Sequence, residues 1–145
     1  MAPHGHLGRL GFGALLVVVV SSSAWAEQVP IRFEEAPMDA TSDPTGLWTD
    51  EEVAESRVPS LPPVAFSTFR VDGGEATLAI LQGAWCGTAD CPYRFRLTTG
   101  GGEVLRSHAA GDYGMTCQST DFYSVDPIDL TVRACDQTID LKTAR

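Results

Sequence analysis

Lysine and histidine are nearly missing from this chain. Its 145 residues hold one Lys, Lys142, and three His, of which only His108 lies beyond residue 6. A His-rich metal site or a His-activated nucleophile therefore has little to draw on, and a lone His near a strand end reads as a packing or surface residue. Ser107, Ser119 and Ser124 stand in no G-x-S-x-G context. No glycine-rich phosphate loop opens a helix, since Gly100-Gly101-Gly102 reads as a hairpin turn. The calcium-loop pattern D-x-[DN]-x-[DN]-G is missing as well. Positive charge is scarce: ten Lys and Arg face 19 Asp and Glu, a net charge of −9. That balance makes nucleic acid and anionic membrane surfaces poor partners. No apolar run reaches the roughly 20 residues that a membrane-crossing helix needs.

What is present begins with a targeting pattern. Met1–Arg9 carries one Arg and no acid, Leu10–Val20 is apolar and broken only by glycines, and Ala24-Trp25-Ala26 is a small-x-small cleavage site. Residues 1–26 thus read as an export signal, cleaved to leave Glu27 first, and the expected compartment is the periplasm or the exterior. No Cys follows the cleavage site, so a lipid anchor is not expected. Loss of Arg9 leaves nine basic residues against 19 acidic ones, a net charge of −10. The four cysteines, Cys86, Cys91, Cys117 and Cys135, then predict two disulfides. Three connectivities exist; the five-residue offset favours Cys86–Cys91, which leaves Cys117–Cys135.

Residues 27–63 read as an acidic, proline-rich arm. Val29–Phe33 alternates and is a candidate strand; five prolines and eight acids then follow in Glu34–Pro63, which otherwise reads as a loop or mobile linker. Asp50–Arg57 is expected to be one short helix, capped by Thr49 or Asp50, with acids on its first turn and Pro59 ending it. Trp48 is a candidate anchor of the arm. From Val64 to the end, residues 64–145, the period changes to two. Strands are expected at Val64–Val71, Glu75–Gln82, Tyr93–Thr98, Glu103–His108, Met115–Thr120 and Ile128–Cys135, with a further edge strand at Ile139–Leu141. In the last long strand Ile128, Leu130, Val132 and Ala134 are expected inward, and Asp121–Pro127 is expected to be a loop with some pairing at Phe122–Tyr123. The fold class that follows is all-β, an antiparallel meander closed as a sandwich or a small open barrel, with one short helix and disulfide staples.

The densest stretch is Gly83–Pro92, where Trp85 precedes a six-residue cysteine ring. Four residues between two Cys suit a turn, since a bridge wants Cα atoms about 4.4–6.8 Å apart. Three readings of the ring stay open: a stapled turn with Trp85 packed on it, a rigid recognition loop, and a redox or metal site, for which no second ligand pair stands nearby in the sequence. In the second, Trp85 is the anchor, Gly87, Thr88 and Ala89 form the tip, and Asp90 is the polar contact. The loop Cys86-Gly87-Thr88-Ala89-Asp90-Cys91 resembles that of small exported bacterial proteins with a C-G-T-x-x-C loop between two strands. That resemblance spans about Ala76–Leu97 and implies a fold without an activity. More distantly, the loop is similar to that of the Ivy-type lysozyme inhibitors. This similarity implies a disulfide-closed loop entering an enzyme cleft, although the His of that family's loop has no counterpart among Gly87, Thr88, Ala89 and Asp90.

The expected function is an exported binding or inhibitor module for a protein partner of basic character, such as a lysozyme-like hydrolase. No cofactor or metal is expected, nor any catalytic residue. Two alternatives stand beside it. One is a structural envelope or complex subunit without a site. The other is a small enzyme or cation-binding domain using the acidic C-terminal loops, where Asp112, Asp121, Asp126, Asp129, Asp136 and Asp140 crowd together.

Overall fold

The computed structural model of the protein describes residues 27–109 and 111–143. The export signal read at residues 1–26 lies outside them. Ten strands form two antiparallel sheets, with one α-helix and one 3-10 turn. The larger sheet runs in the order β2 (Glu34–Glu35), β3 (Val64–Val71), β4 (Gly74–Leu81), β5 (Asp90–Thr99), β6 (Val104–Ser107), and β7 (Gly114–Cys117) also pairs with β5. The smaller sheet runs in the order β1 (Val29–Pro30), β8 (Tyr123–Asp126), β9 (Thr131–Ala134), β10 (Gln137–Asp140). The all-β class, the short helix and both disulfides, Cys86–Cys91 and Cys117–Cys135, are as the sequence predicts.

Alternation in the strands builds the main core. Ala65 and Val71 on β3, Ala76, Leu78 and Ile80 on β4, and Tyr93, Phe95 and Leu97 on β5 all point to the smaller sheet. There they meet Tyr123, Val125, Val132, Ala134 and Ile139. The two sheets therefore pack as a sandwich. Each fully buried Leu, Ile, Val or Phe in it contributes about 1.5–3 kcal/mol of transfer free energy.

β4 is buried over Ala76–Leu81 on both faces. Its second face, with Val64 on β3, is covered by the segment between β2 and β3: Ala36, Trp48 and Val53 pack on Val64, Ala79 and Leu81. The residues from 36 to 63, expected to be a loop or mobile linker, are thus largely irregular in backbone but form a third layer. The helix α1 (Asp50–Ser56) is held there by a capping box, in which the Thr49 side chain accepts from the Glu52 N–H and Glu52 accepts from the Thr49 N–H.

Two strand expectations are corrected. β8 fills most of the region expected to be a loop, pairing with both β1 and β9. The strand expected from Ile128 begins only at Thr131. Residues 127–130 make the turn between β8 and β9: Leu130 has a left-handed φ of 55°, and Ile128 stands 70% exposed rather than inward. Asp126 fixes this turn by accepting from the N–H groups of Ile128 and Asp129. Residues 29–35 belong to both sheets. β1 joins β8, the Ile31 N–H reaches the Tyr123 carbonyl, and the chain then crosses to pair Glu34 and Glu35 with β3.

Candidate functional site

The Cys86–Cys91 loop lies where β4 hands the chain to β5. Gly83 makes the exit turn at φ +98°, and a side chain there would run into the Ser56 carbonyl and Val58. The Ala84 N–H donates to that same Ser56 carbonyl at 2.7 Å, so the loop root is tied to the end of α1. Within the ring the Gly87 N–H donates to the Asp90 carbonyl at 2.7 Å. On the far side β7 takes over: Asp90 and Cys91 pair with Cys117 and Thr116, and the Gln118 N–H donates to the Ala89 carbonyl. Gly87, Thr88 and Ala89 are left exposed at the tip, with Asp90 half-buried beside them.

Trp85 is at the root of this loop, not at its tip. It is half-buried and meets Trp48 edge-on at 6.5 Å between ring centres, while Tyr113 lies 6.2 Å from both indoles. Tyr113 is 46% exposed, so with Trp85 it forms an aromatic surface beside the ring, backed by buried Trp48. The five predicted contact residues therefore divide. Gly87, Thr88, Ala89 and Asp90 share the projecting ring, and Trp85 belongs to the aromatic patch that supports it.

The floor of that patch is polar. Arg94 on β5 is 2% exposed, with its guanidinium 4.1 Å from the Trp48 ring centre. It donates to both carboxylate oxygens of Glu52 at 2.8 Å, to the Leu47 carbonyl at 2.9 Å and, through Nε, to the Asp112 carbonyl at 2.8 Å. The Trp48 indole N–H donates to the Ala79 carbonyl at 3.2 Å. Burial works against the Glu52 carboxylate, but the Arg94 bonds and the Thr49 N–H outweigh it and hold its pKa below the ordinary value. Asp43 shapes the loop above by accepting from the N–H groups of Thr45, Leu47 and Trp48.

Next to Arg94 opens a cleft of about 310 Å³ between Leu47, Trp48, Thr49, Arg96, Ser107 and His108. Arg96, two residues along β5, is half-buried; its Nη2 donates to the Thr45 carbonyl at 3.1 Å. The Arg94–Glu52 pair is the single salt bridge among the described residues, so no carboxylate within 4.0 Å answers Arg96. His108 sits where the edge of β5 opposite β4 has no strand partner, between the stretches paired to β6 and to β7. The Phe95 N–H donates to His108 Nδ1 at 3.0 Å, and the His108 N–H donates to the Phe95 carbonyl at 3.2 Å. The imidazole thus replaces a missing strand, and its proton resides on Nε2. That Nε2–H is buried and has no partner among the described residues. Burial, then the nearby Arg94 charge, holds the His108 pKa below its ordinary value.

No protein-family model, curated protein or solved structure matches this chain.

The acidic C-terminal loops do not converge. Among the described residues no three His, Cys, Asp or Glu side chains gather as a metal site would require. Asp126 is buried in its turn, and Asp140 accepts from the Lys142 N–H. Sequence reasoning singled out Trp48, Trp85 and His108 but missed the ties of Arg94 to Glu52 and Asp112. One signal for it was available: the unbroken apolar run Leu78-Ala79-Ile80-Leu81 implies a strand covered on both faces. Arg94 and Arg96 on the next strand then have to lie under a covering layer.

Proposed function

We propose that this protein is an exported binding or inhibitor module that offers the Cys86–Cys91 loop to a protein partner with a cationic surface and a cleft, of which a lysozyme-like hydrolase is the type. The observation that carries this reading is the combination of a three-residue exposed tip, Gly87-Thr88-Ala89, with a root fixed by a disulfide, by pairing to β7 and by the tie to Ser56. A loop already held in one shape loses little conformational entropy on docking, which favours affinity. Asp90 at the tip's edge and the net charge of −10 favour encounter with a basic partner. The aromatic surface of Trp85 and Tyr113 supplies a contact area of the kind that dominates interfaces. Export rests on the leader pattern at residues 1–26, and two disulfides accord with an oxidising compartment.

The test is capture from periplasmic and secreted extracts, with purified lysozymes added, using residues 27–145 in oxidised form. A parallel bait carries Ala89→Arg, which alters the tip without touching the aromatic support. A partner held by the natural sequence and weakened at least about tenfold by Ala89→Arg is expected. Equal capture by both baits would remove the loop from the interface.

A further inference from the structure

We propose that the cleft between the 46–49 loop and β6 binds a small carboxylate, with Arg96 as its cationic contact. The site does not depend on the disulfide loop, and it stands on the contrast between two arginines of one strand face. Arg94 and Arg96 line the same cleft. Arg94 makes four hydrogen bonds, two to Glu52 and one each to Leu47 and Asp112. Arg96 donates only to Thr45 and faces no carboxylate within 4.0 Å among the described residues. The neighbouring acids are engaged elsewhere: Glu52 with Arg94, and Asp43 with the backbone N–H groups of its own loop. A half-buried guanidinium without a counterion keeps a desolvation cost that an incoming anion would offset.

The second observation is His108. It is 8% exposed, lines the same cleft, and has a buried Nε2–H with no partner among the described residues. Its ring packs edge-on to Tyr93 at 5.5 Å and to Phe95 at 5.0 Å between centres. Such a donor is costly to leave unpaired. Nε2 is sealed from solvent. The charge of the ligand therefore rests on Arg96, and the imidazole is a wall of the cleft. Leu47 and Trp48 offer an apolar side for a short substituent, and about 310 Å³ is the small end of ligand-sized cavities. A planar monoanion fits better than a phosphate dianion, which the net charge of −10 would repel more strongly. Two sources share this chemistry: a free small acid and the C-terminal carboxylate of a peptide.

The experiment titrates oxidised protein, residues 27–145, with N-acetylglycine, with an Ala-Ala-Ala tripeptide bearing a free C-terminus, with its C-terminal amide, and with inorganic phosphate. The readout is the NMR shift of the Arg96 Nε–H and the His108 Nε2–H. Saturable shifts with a carboxylate, at a Kd of about millimolar or tighter, and a loss of at least about tenfold in Arg96→Gln are expected. Circular dichroism and thermal melting of Arg96→Gln confirm that it stays folded. Stronger response to N-acetylglycine assigns a free acid; response to the tripeptide but not its amide assigns a peptide terminus. No saturable shift with either carboxylate, a stronger response to phosphate, or the same response in folded Arg96→Gln would overturn the proposal.

Discussion

The central sheet is covered on both faces, by different means. Toward the smaller sheet it presents Leu78, Ile80, Tyr93, Phe95 and Leu97, a continuous apolar surface in which any side chain of similar size and shape would serve. Toward the arm it presents Val64, Ala79 and Leu81 beside Arg94, a buried charged group bonded to the helix, to the 43–48 loop and to the Asp112 carbonyl. The first face is held by area, which tolerates error. The second is held by geometry, because losing one partner leaves a buried charge behind. The apolar face carries the larger buried cluster. The arm then needs a directional contact to be placed, and its placement positions Trp48, Trp85 and Tyr113 under the disulfide loop.

The sharpest way to break this comparison is Arg94→Ala, which leaves Glu52 without its partner and Trp48 without its cover. A loss of about 3–5 kcal/mol in denaturant unfolding is expected. Replacing Arg94 and Glu52 together by Met should recover part of that loss, whereas a double mutant no better than the single would assign the bonds to Leu47 and Asp112 the larger share. On the sandwich face, removing the Cys117–Cys135 bridge by Ser at both positions should cost about 3 kcal/mol, from the freedom regained by the unfolded chain. An intermediate effect is expected for Trp48→Phe. It keeps the aromatic volume in part but strands the Ala79 carbonyl, at about 1–3 kcal/mol. Tryptophan fluorescence would report whether Trp85 is displaced with it.

The smallest and most specific effect concerns pH. His108 has a folded-state pKa below its ordinary value of 6.5, through burial and then Arg94, with Asp112 and the Phe95 backbone opposing. The unfolded chain therefore takes up a proton that the folded chain refuses. Stability is full above about pH 6.5, falls as the pH drops below it, and levels off once the folded pKa is passed. His108→Gln, whose side-chain oxygen can still accept from the Phe95 N–H, should flatten that fall between pH 7 and 5. An unchanged profile would place the titrating group among the carboxylates. Tyr123 provides a control on the other face: burial pushes its pKa up to about 12, so its ultraviolet titration should come well after the ordinary tyrosine value of 10.0.

Much of the large sheet was legible in the sequence. Tyr93, Phe95 and Leu97 alternate with Arg94, Arg96 and Thr98, and the glycine turns at Gly73 and Gly100–Gly102 mark the hairpins. The smaller sheet was harder to read. Its β9–β10 turn uses Cys135 in a left-handed conformation, φ 57°, where a glycine or asparagine signal would be sought. Its β8–β9 turn contains the apolar Ile128 and Leu130, which imitate strand residues. At the candidate site, the loop Cys86–Cys91 was visible from cysteine spacing alone. The Arg94 hub was not, because Glu52 and Arg94 are 42 positions apart and no local pattern links them.

Residues 29–35 have a consequence for the order in which the chain can fold. They are made early, yet Val29 pairs with Val125 and Glu34 with Phe66. Such distant pairings are slow to close, because the entropy of a long loop is lost before any contact repays it. The two-residue strands β1 and β2 are too short to hold either sheet together beforehand. They can dock only after the hairpin of β3 and β4 and that of β8 and β9 have formed. Folding should therefore end with its first segment, which ties the two sheets to each other as the last step.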